Sequence, residues 1–226
     1  MYNIKNWRHI FKLDPNKELT NEQIMQVCES GTDAIMVGGT DNIHIDDILH
    51  LLMEVRRYAV PVILEVSDVE SITPGFDFYF IPTVLNAGTT EHIIDVQHKA
   101  IKDYGAFMNW EEVFFEGYCI ANMECKAAKV TKAKPVTIDD IASYATLAEK
   151  AFRLPIFYLE YSGALAPVEA LKAVREELSN TSFFYGGGIT NEKIAREMEQ
   201  FADTIIVGNA LYENFPEAIR TVNKKK

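Results

Sequence analysis

Cysteine is scarce in this chain. The three present, Cys28, Cys119 and Cys125, are odd in number and show no C-x-x-C spacing. That excludes a disulfide framework and a zinc ribbon, and points to reduced, mostly buried thiols in a cytosolic protein. Histidine is sparse as well. His44/His50 and His92/His98 are each six apart, on different faces of any helix, so no zinc site follows. No stretch reaches the ~18 apolar residues of a membrane span, and the opening M-Y-N-I-K-N-W-R-H has no apolar signal region. A cytoplasmic location is expected, with at most peripheral membrane contact. Positive charge is in deficit: 22 Lys and Arg stand against 33 Asp and Glu, for a net charge of −11. No nucleic-acid partner is expected, because such binding needs a cationic face. Any phosphate ligand must find positive potential locally, in helix ends, a lysine or a metal ion.

What the chain does have is a regular alternation of apolar runs and amphipathic stretches. Strands are expected at His9 to Leu13, Asp33 to Val37, Pro61 to Val66, Phe76 to Ile81 (before Pro82), Gly117 to Ala121, Pro155 to Leu159, a run from Phe183 into Gly186, and Thr204 to Val207. Helices are expected between them: one opened by the capping box Thr20-x-x-Gln23, then a longer one with Ile45, Ile48, Leu49, Leu52, Met53 and Val55 on its apolar side, Glu91 to Tyr104, Asp139 to Phe152, Pro167 to Leu178, one opened by Thr190, and Tyr212 to Val222. The runs are apolar throughout rather than alternating, as in parallel strands buried on both faces. Eight such units in 226 residues predict one α/β domain, residues 1–226, folded as a (β/α)8 TIM barrel. One unit is short. Ser67 to Gly75 leaves no room for a crossover helix, so the third helix is expected to be missing or replaced by an extended segment.

In such a barrel, function collects at the C-terminal ends of the strands. The stretch from Phe183 to Asn209 places Gly186-Gly187-Gly188 and Gly208-Asn209 after two consecutive strands, the pattern of a phosphate site. Each turn could bare N–H groups, with a helix dipole behind. Lys12 and Asp14 share a face of the first strand and could hold a phosphate and Mg²⁺ side by side; a plain strand-end ion pair is the alternative. Thr40 could add an oxygen to the same ion, or merely cap a helix. Glu160, between Tyr158 and Tyr161 where the sixth strand leaves the core, suits a general base. Ser162-Gly163 could donate N–H groups to a phosphate, and no strand-end histidine is present to activate Ser162 as a nucleophile.

Taken together, H-x-x-K-L-D-P (His9 to Pro15), V-G-G-T-D (Val37 to Asp41), Y-L-E-Y-S-G (Tyr158 to Gly163), Y-G-G-G-I (Tyr185 to Ile189) and I-V-G-N (Ile206 to Asn209) resemble the geranylgeranylglyceryl phosphate synthase family. Y-L-E-Y-S-G is one residue shorter than the archaeal Y-L-E-A-G-S-G, which favours the bacterial branch, the heptaprenylglyceryl phosphate synthases of the PcrB type. The resemblance implies a modified TIM barrel without its third helix. It also implies a homodimer, and transfer of a polyprenyl group from its diphosphate to the 3-hydroxyl of sn-glycerol 1-phosphate. By motif match, Lys12, Tyr158, Leu159, Glu160, Tyr161, Ser162, Gly163, Gly188, Gly208 and Asn209 would hold glycerol 1-phosphate, and Asp14 and Thr40 would hold Mg²⁺. Glu160 would act on the attacking hydroxyl, with Lys12 and Tyr158 beside it. No D-D-x-x-D occurs, so the cation site is spare. A groove for the tail is expected where the helix is missing, against Glu91 to Tyr104; Phe76, Phe78 and Phe80 are candidate lining, with ordinary barrel packing as the favoured reading of all three. A phosphosugar isomerase or epimerase, and a non-catalytic phosphate-binding barrel, are the competing readings.

Overall fold

A computed structural model describes residues 3–39 and 43–223. Its strands are β1 (His9–Leu13), β2 (Ala34–Val37), β3 (Val62–Glu65), β4 (Phe78–Val84), β5 (Val113–Ile120), β6 (Ile156–Glu160), β7 (Ser182–Gly186) and β8 (Thr204–Val207). All pair in parallel with their sequence neighbours, and β8 returns to β1 through His9 opposite Ile205, closing the barrel. The helices are α1 (Asn21–Cys28), α2 (Ile45–Val55), α3 (Val96–Tyr104), α4 (Lys126–Thr131), α5 (Ile138–Thr146), α6 (Val168–Glu177), α7 (Glu192–Met198), α8 (Ala210–Glu213) and α9 (Phe215–Ile219).

Period-two alternation sorts each strand into two cores. Phe11, Ile35, Leu64, Cys119, Leu159, Phe183 and Ile205 face outward into the helices. Ile10, Met36, Ile63, Phe80, Tyr158, Phe184 and Ile206 face the barrel axis. Trp7 closes the floor of the barrel by contact with Phe78 and Phe80, and Phe114 packs edge-on to both phenylalanines. Acidic residues just ahead of strands bind the neighbouring strand at the same end. Asp33 accepts from the N–H groups of Arg8 and His9, Asp77 from that of Val62, and Asp203 from that of Phe183.

The third helix is absent, as expected. Between β3 and β4 the chain makes one 3-10 turn, Val69–Ser71, capped by Asp68. Other boundaries differ from expectation for identifiable reasons. Strand β4 runs through Pro82 to Val84. The N–H that Pro82 lacks would point toward β3, which has already ended at Glu65, so no ladder bond is lost. The Pro82 carbonyl, aimed the same way, accepts from Gln97 Nε2 at 2.7 Å. Strand β5 begins at Val113, earlier than expected, because Glu116 interrupts an otherwise apolar run that pairs fully with β4. Asn191, rather than Thr190, caps α7. The last expected helix is two short ones meeting at Asn214, and α4 was not anticipated.

His9 is buried at the floor end of β1, with Nδ1 3.0 Å from Thr32 Oγ1 and Nε2 3.0 Å from Thr221 Oγ1. Burial, then the nearby Arg196 charge, lowers its pKa from 6.5 to about 3. The unfolded chain therefore takes up a proton below pH 6.5 that the folded chain refuses, and stability falls as pH drops from there toward 3. A His9→Gln variant is expected to lose about 1–3 kcal/mol at pH 7, the cost of broken buried hydrogen bonds. It should also show a shallower fall in Tm between pH 6.5 and 4. Thermal unfolding across that range checks both.

Candidate functional site

The strand parity that builds the inner core also lifts a polar layer to its top. Lys12 on β1, Glu65 on β3, Glu116 and Tyr118 on β5, and Tyr158 and Glu160 on β6 have the inward parity of the inner-core residues on their strands. Lys12 donates from Nζ to Glu65 Oε2. Burial acts to depress the Lys12 ammonium, but Glu65, then Glu160, outweigh it and its pKa is raised. Lys12 therefore stays a cation, held by Glu65.

Glu160 is oriented from two sides. Tyr118 donates its hydroxyl to Oε2 at 2.8 Å, and the Ser162 N–H donates to Oε1 at 2.5 Å. Tyr158 packs edge-on to Tyr118, ring centroids 4.5 Å apart. Burial pushes both phenols well above 10, with the Glu160 charge adding to it, so both remain protonated donors. Tyr158 has room for its hydroxyl only because β7 ends in glycine: a Cβ on Gly186 would lie 2.2 Å from that oxygen.

Beside this layer is a bowl of about 390 Å³ between the ends of β6, β7, β8 and β1, lined by Ser162, Gly163, Gly187, Gly188, Gly208 and Asn209. Gly188 sits at φ +62°, and a Cβ there would come within 2.7 Å of the Leu165 nitrogen. Glycine is thus required by both conformation and space. Asn122 donates to the Ser162 carbonyl at 2.6 Å and fixes the facing loop. The helices beyond the two glycine turns are short, α7 beginning only at Glu192 and α8 spanning a single turn. Bare turn N–H groups and Lys12, rather than long helix dipoles, therefore supply the positive potential.

A second cavity, of about 980 Å³, leads away from the same centre through the gap left by the absent helix. Its walls include Ile72, Tyr79, Ile81, Val96, Ile101 and Tyr104. Of the three candidate phenylalanines, Phe76 lines it, while Phe78 and Phe80 fill the barrel interior, the packing role favoured for them. Lys12, Asp14, Lys17, Glu160, Ser162 and Asn209 border both cavities.

The expected site residues therefore divide. Lys12, Asp14, Tyr158, Glu160, Ser162, Gly163, Gly188, Gly208 and Asn209 come together around the bowl. Leu159 points outward into the helical layer, and Tyr161 packs against that outer core, so neither lines a cavity. Thr40 and Asp41 lie outside the described residues. Asp14 accepts from the Asn16 N–H at 3.0 Å, and a Cβ on Gly39 would lie 3.0 Å from its Oδ1. Among the described residues no cluster of three or more His, Cys, Asp or Glu could hold a metal.

Glu65, Glu116 and Tyr118 were not among the sequence candidates. Glu65 ends a strand and was open to the same strand-end reasoning. Glu116 and Tyr118 lie within β5, where a misplaced strand start hid their inward parity. Lys17 also belongs here: Nζ donates to Asn209 Oδ1 at 3.1 Å and lies 4.9 Å above the Tyr212 ring.

The model of the PcrB family matches residues 2–226. The chain is 55% identical over 227 residues to a heptaprenylglyceryl phosphate synthase of Bacillus cereus, covering 100% of this chain and 99% of that protein. It is 54% identical, at the same coverage, to the one from Bacillus cytotoxicus. Among solved structures, the (S)-3-O-geranylgeranylglyceryl phosphate synthase of Thermoplasma acidophilum, in complex with its substrate sn-glycerol-1-phosphate, superposes with TM-score 0.83 at 25% identity, covering 100% of both chains.

Glu116 is fully buried with neither carboxyl oxygen hydrogen-bonded. Burial, then the Glu65 charge, raises its pKa well above 4.5, so it is neutral when folded and ionises freely when unfolded. Its cost is nil below pH 4.5 and grows as pH rises through the region above. Glu116→Gln is expected to match the parent's Tm near pH 4.5 and exceed it at pH 8, by about 1–3 kcal/mol of unfolding free energy. Equal pH dependence of Tm in the two proteins would place an ionised carboxylate there.

Proposed function

The chain belongs to the PcrB family, and from that premise we propose that it transfers a heptaprenyl group from its diphosphate to the 3-hydroxyl of sn-glycerol 1-phosphate, releasing diphosphate and giving heptaprenylglyceryl phosphate. The observation that carries this reading is the meeting of two unlike cavities at one carboxylate. The glycine-lined bowl suits a small phosphate ester, the apolar groove suits a long hydrocarbon, and Glu160 borders both.

In this reading the phosphate of glycerol 1-phosphate sits on the turns at Gly188, Gly208 and Asn209, facing Ser162-Gly163, with Lys12 supplying the cation. The glycerol 3-hydroxyl then faces Glu160. The hydrogen bonds from Tyr118 and the Ser162 N–H leave a lone pair on each carboxylate oxygen to take the hydroxyl proton. As the proton passes to Glu160, the hydroxyl oxygen bonds to the first prenyl carbon, and the bond from that carbon to the diphosphate breaks. Tyr118, kept protonated by its burial, holds the carboxylate in place throughout. Asp14, with Thr40, would hold Mg²⁺, which when bound neutralises charge on the leaving diphosphate. The gap beside α3 takes the tail. A homodimer in the cytoplasm completes the reading, on the family resemblance.

The deciding experiment supplies labelled glycerol 1-phosphate or its enantiomer glycerol 3-phosphate with prenyl diphosphates of three to seven units and Mg²⁺. Transfer to glycerol 1-phosphate alone, rising with donor length, is expected; transfer to neither enantiomer with any donor would sink the proposal. Glu160→Gln should keep glycerol phosphate binding and lose roughly 10²–10⁴-fold in turnover. Asp14→Asn should cut activity and shift the Mg²⁺ titration to higher concentration. An unshifted titration would make Asp14 a scaffold for the turn at Asn16.

A further inference from the structure

The groove opens onto a face that a water-soluble protein would ordinarily cover. Tyr104, Phe107, Met108 and Asn109, and Val130 and Thr131 of α4, line the same cavity, and the exposure of Tyr104, Phe107, Asn109 and Val130 puts them where it meets solvent. Phe107 is 88% exposed and the adjoining Trp110 51% exposed. Isolated exposed apolar residues need no explanation, but aromatics grouped at an opening do. The charge at this mouth also departs from the rest of the molecule. Residues 126–134 carry four lysines and no acid in a chain of net charge −11. Lys129, Lys132 and Lys134 are all exposed. Of the acids nearby, Asp103 is paired with Lys99 at 2.6 Å and Glu112 accepts from Asn109 at 2.7 Å, while Glu111 is exposed next to Trp110 and Glu124 is exposed just ahead of α4, leaving the four lysines in excess on that side.

We propose that this rim, the 104–110 segment together with α4, docks the protein onto an anionic lipid bilayer so that the groove opens directly into the membrane interface. Aromatic side chains with an apolar body and a polar edge partition to the headgroup level, and lysines beside them add attraction to anionic lipid. A second copy of the chain fits the rim less well. A twofold contact sets a patch against itself, and this one would bring lysines onto lysines. The bilayer also answers the chemistry of the proposed substrate, on which this inference rests: the tail slides from lipid into the groove without crossing water.

Trp110 provides the probe, because the chain's other tryptophan, Trp7, is 4% exposed. Adding vesicles of phosphatidylglycerol and phosphatidylcholine should shift Trp110 emission to the blue and pellet the protein, and pure phosphatidylcholine should do so far less. Lys129→Glu/Lys132→Glu should weaken binding to the anionic vesicles roughly tenfold or more, from about 1 kcal/mol per lysine near the surface, and Trp110→Ser should weaken it too. None of these residues lines either cavity. Transfer from a short, water-soluble prenyl diphosphate should therefore persist in both variants, while transfer from vesicle-borne heptaprenyl diphosphate falls with vesicle affinity. Three results would overturn the docking proposal: no vesicle binding by the parent protein, unchanged binding by the variants, or a halved solution mass on Trp110→Ser, which would make the rim a contact between copies. Lack of transfer from the soluble donor by the parent would instead strike the proposed reaction, leaving the vesicle result to be judged by itself.

Discussion

The ion pair between Lys12 and Glu65 is the interaction around which the top of the barrel is arranged. A lone ammonium inside a barrel would shed its proton or draw in water. Here it is held charged by the carboxyl groups of Glu65 on β3 and Glu160 on β6. The arrangement has a cost, since three carboxyls cannot all ionise around one cation. Glu116 takes that cost as a neutral, unbonded acid below the others. The result is a cation poised at the rim, already desolvated and attached to one carboxylate. An arriving phosphate dianion exchanges one anionic partner for another and need not strip a hydrated lysine of its water.

The orientation of Glu160 follows from the same layer. A carboxylate so placed could rotate toward Lys12, collapsing the site into a salt bridge. Tyr118 and the Ser162 N–H prevent this by engaging one oxygen each. Tyr118 is itself wedged against Tyr158, and Tyr158 fits only because Gly186 has no side chain. Three strands, β5, β6 and β7, thus cooperate to fix one carboxylate, and this explains why a glycine ending β7 matters to a group on β6. Rigid positioning of this kind is what makes a base effective, because proton transfer depends steeply on geometry.

Much of this was legible in the residues, for reasons that also set the limits. Apolar runs bounded by glycine and proline mark parallel strands, and their order with helices is enough for the barrel. The shortage of residues between Ser67 and Gly75 is enough for the missing helix. Strand-end reasoning reached Lys12, Asp14, Glu160 and the glycine turns. It failed where a polar residue lay inside a strand. Glu116 reads as a break in hydrophobicity, whereas parity places it inside the barrel, and with it went Tyr118. Leu159 and Tyr161 differ in the opposite sense, their side chains lying away from both cavities. Motif continuity included them, but alternation turns Leu159 outward and the loop seats Tyr161 against the outer core. Side-chain parity, which depends on a strand's exact start, is the information that composition and motif order do not carry.

The distribution of charge joins the two ends of the molecule. A protein of net charge −11 would be expected to repel phosphate and anionic lipid alike. At the floor of the barrel, Asp33, Asp77 and Asp203 each bind backbone N–H groups of a neighbouring strand. Glu149 likewise accepts from the N–H groups of Ser179, Asn180 and Thr181. These acids fasten the strand starts far from the functional rim. At the opposite end stand Lys12, Lys17 and the bare glycine turns, and beside them the lysines of α4. At a Debye length of about 8 Å in physiological salt, the floor acids are screened from the rim, where Lys12 and Lys17 stand among Asp14, Glu65 and Glu160, so local pairing rather than net charge decides what approaches it. Net charge therefore misleads as a guide to partners in this fold. Floor acids are engaged at strand starts, and the rim's own carboxylates are held by Lys12 or by hydrogen bonds, which lets one acidic chain serve an anionic head and, in the proposed docking, an anionic surface.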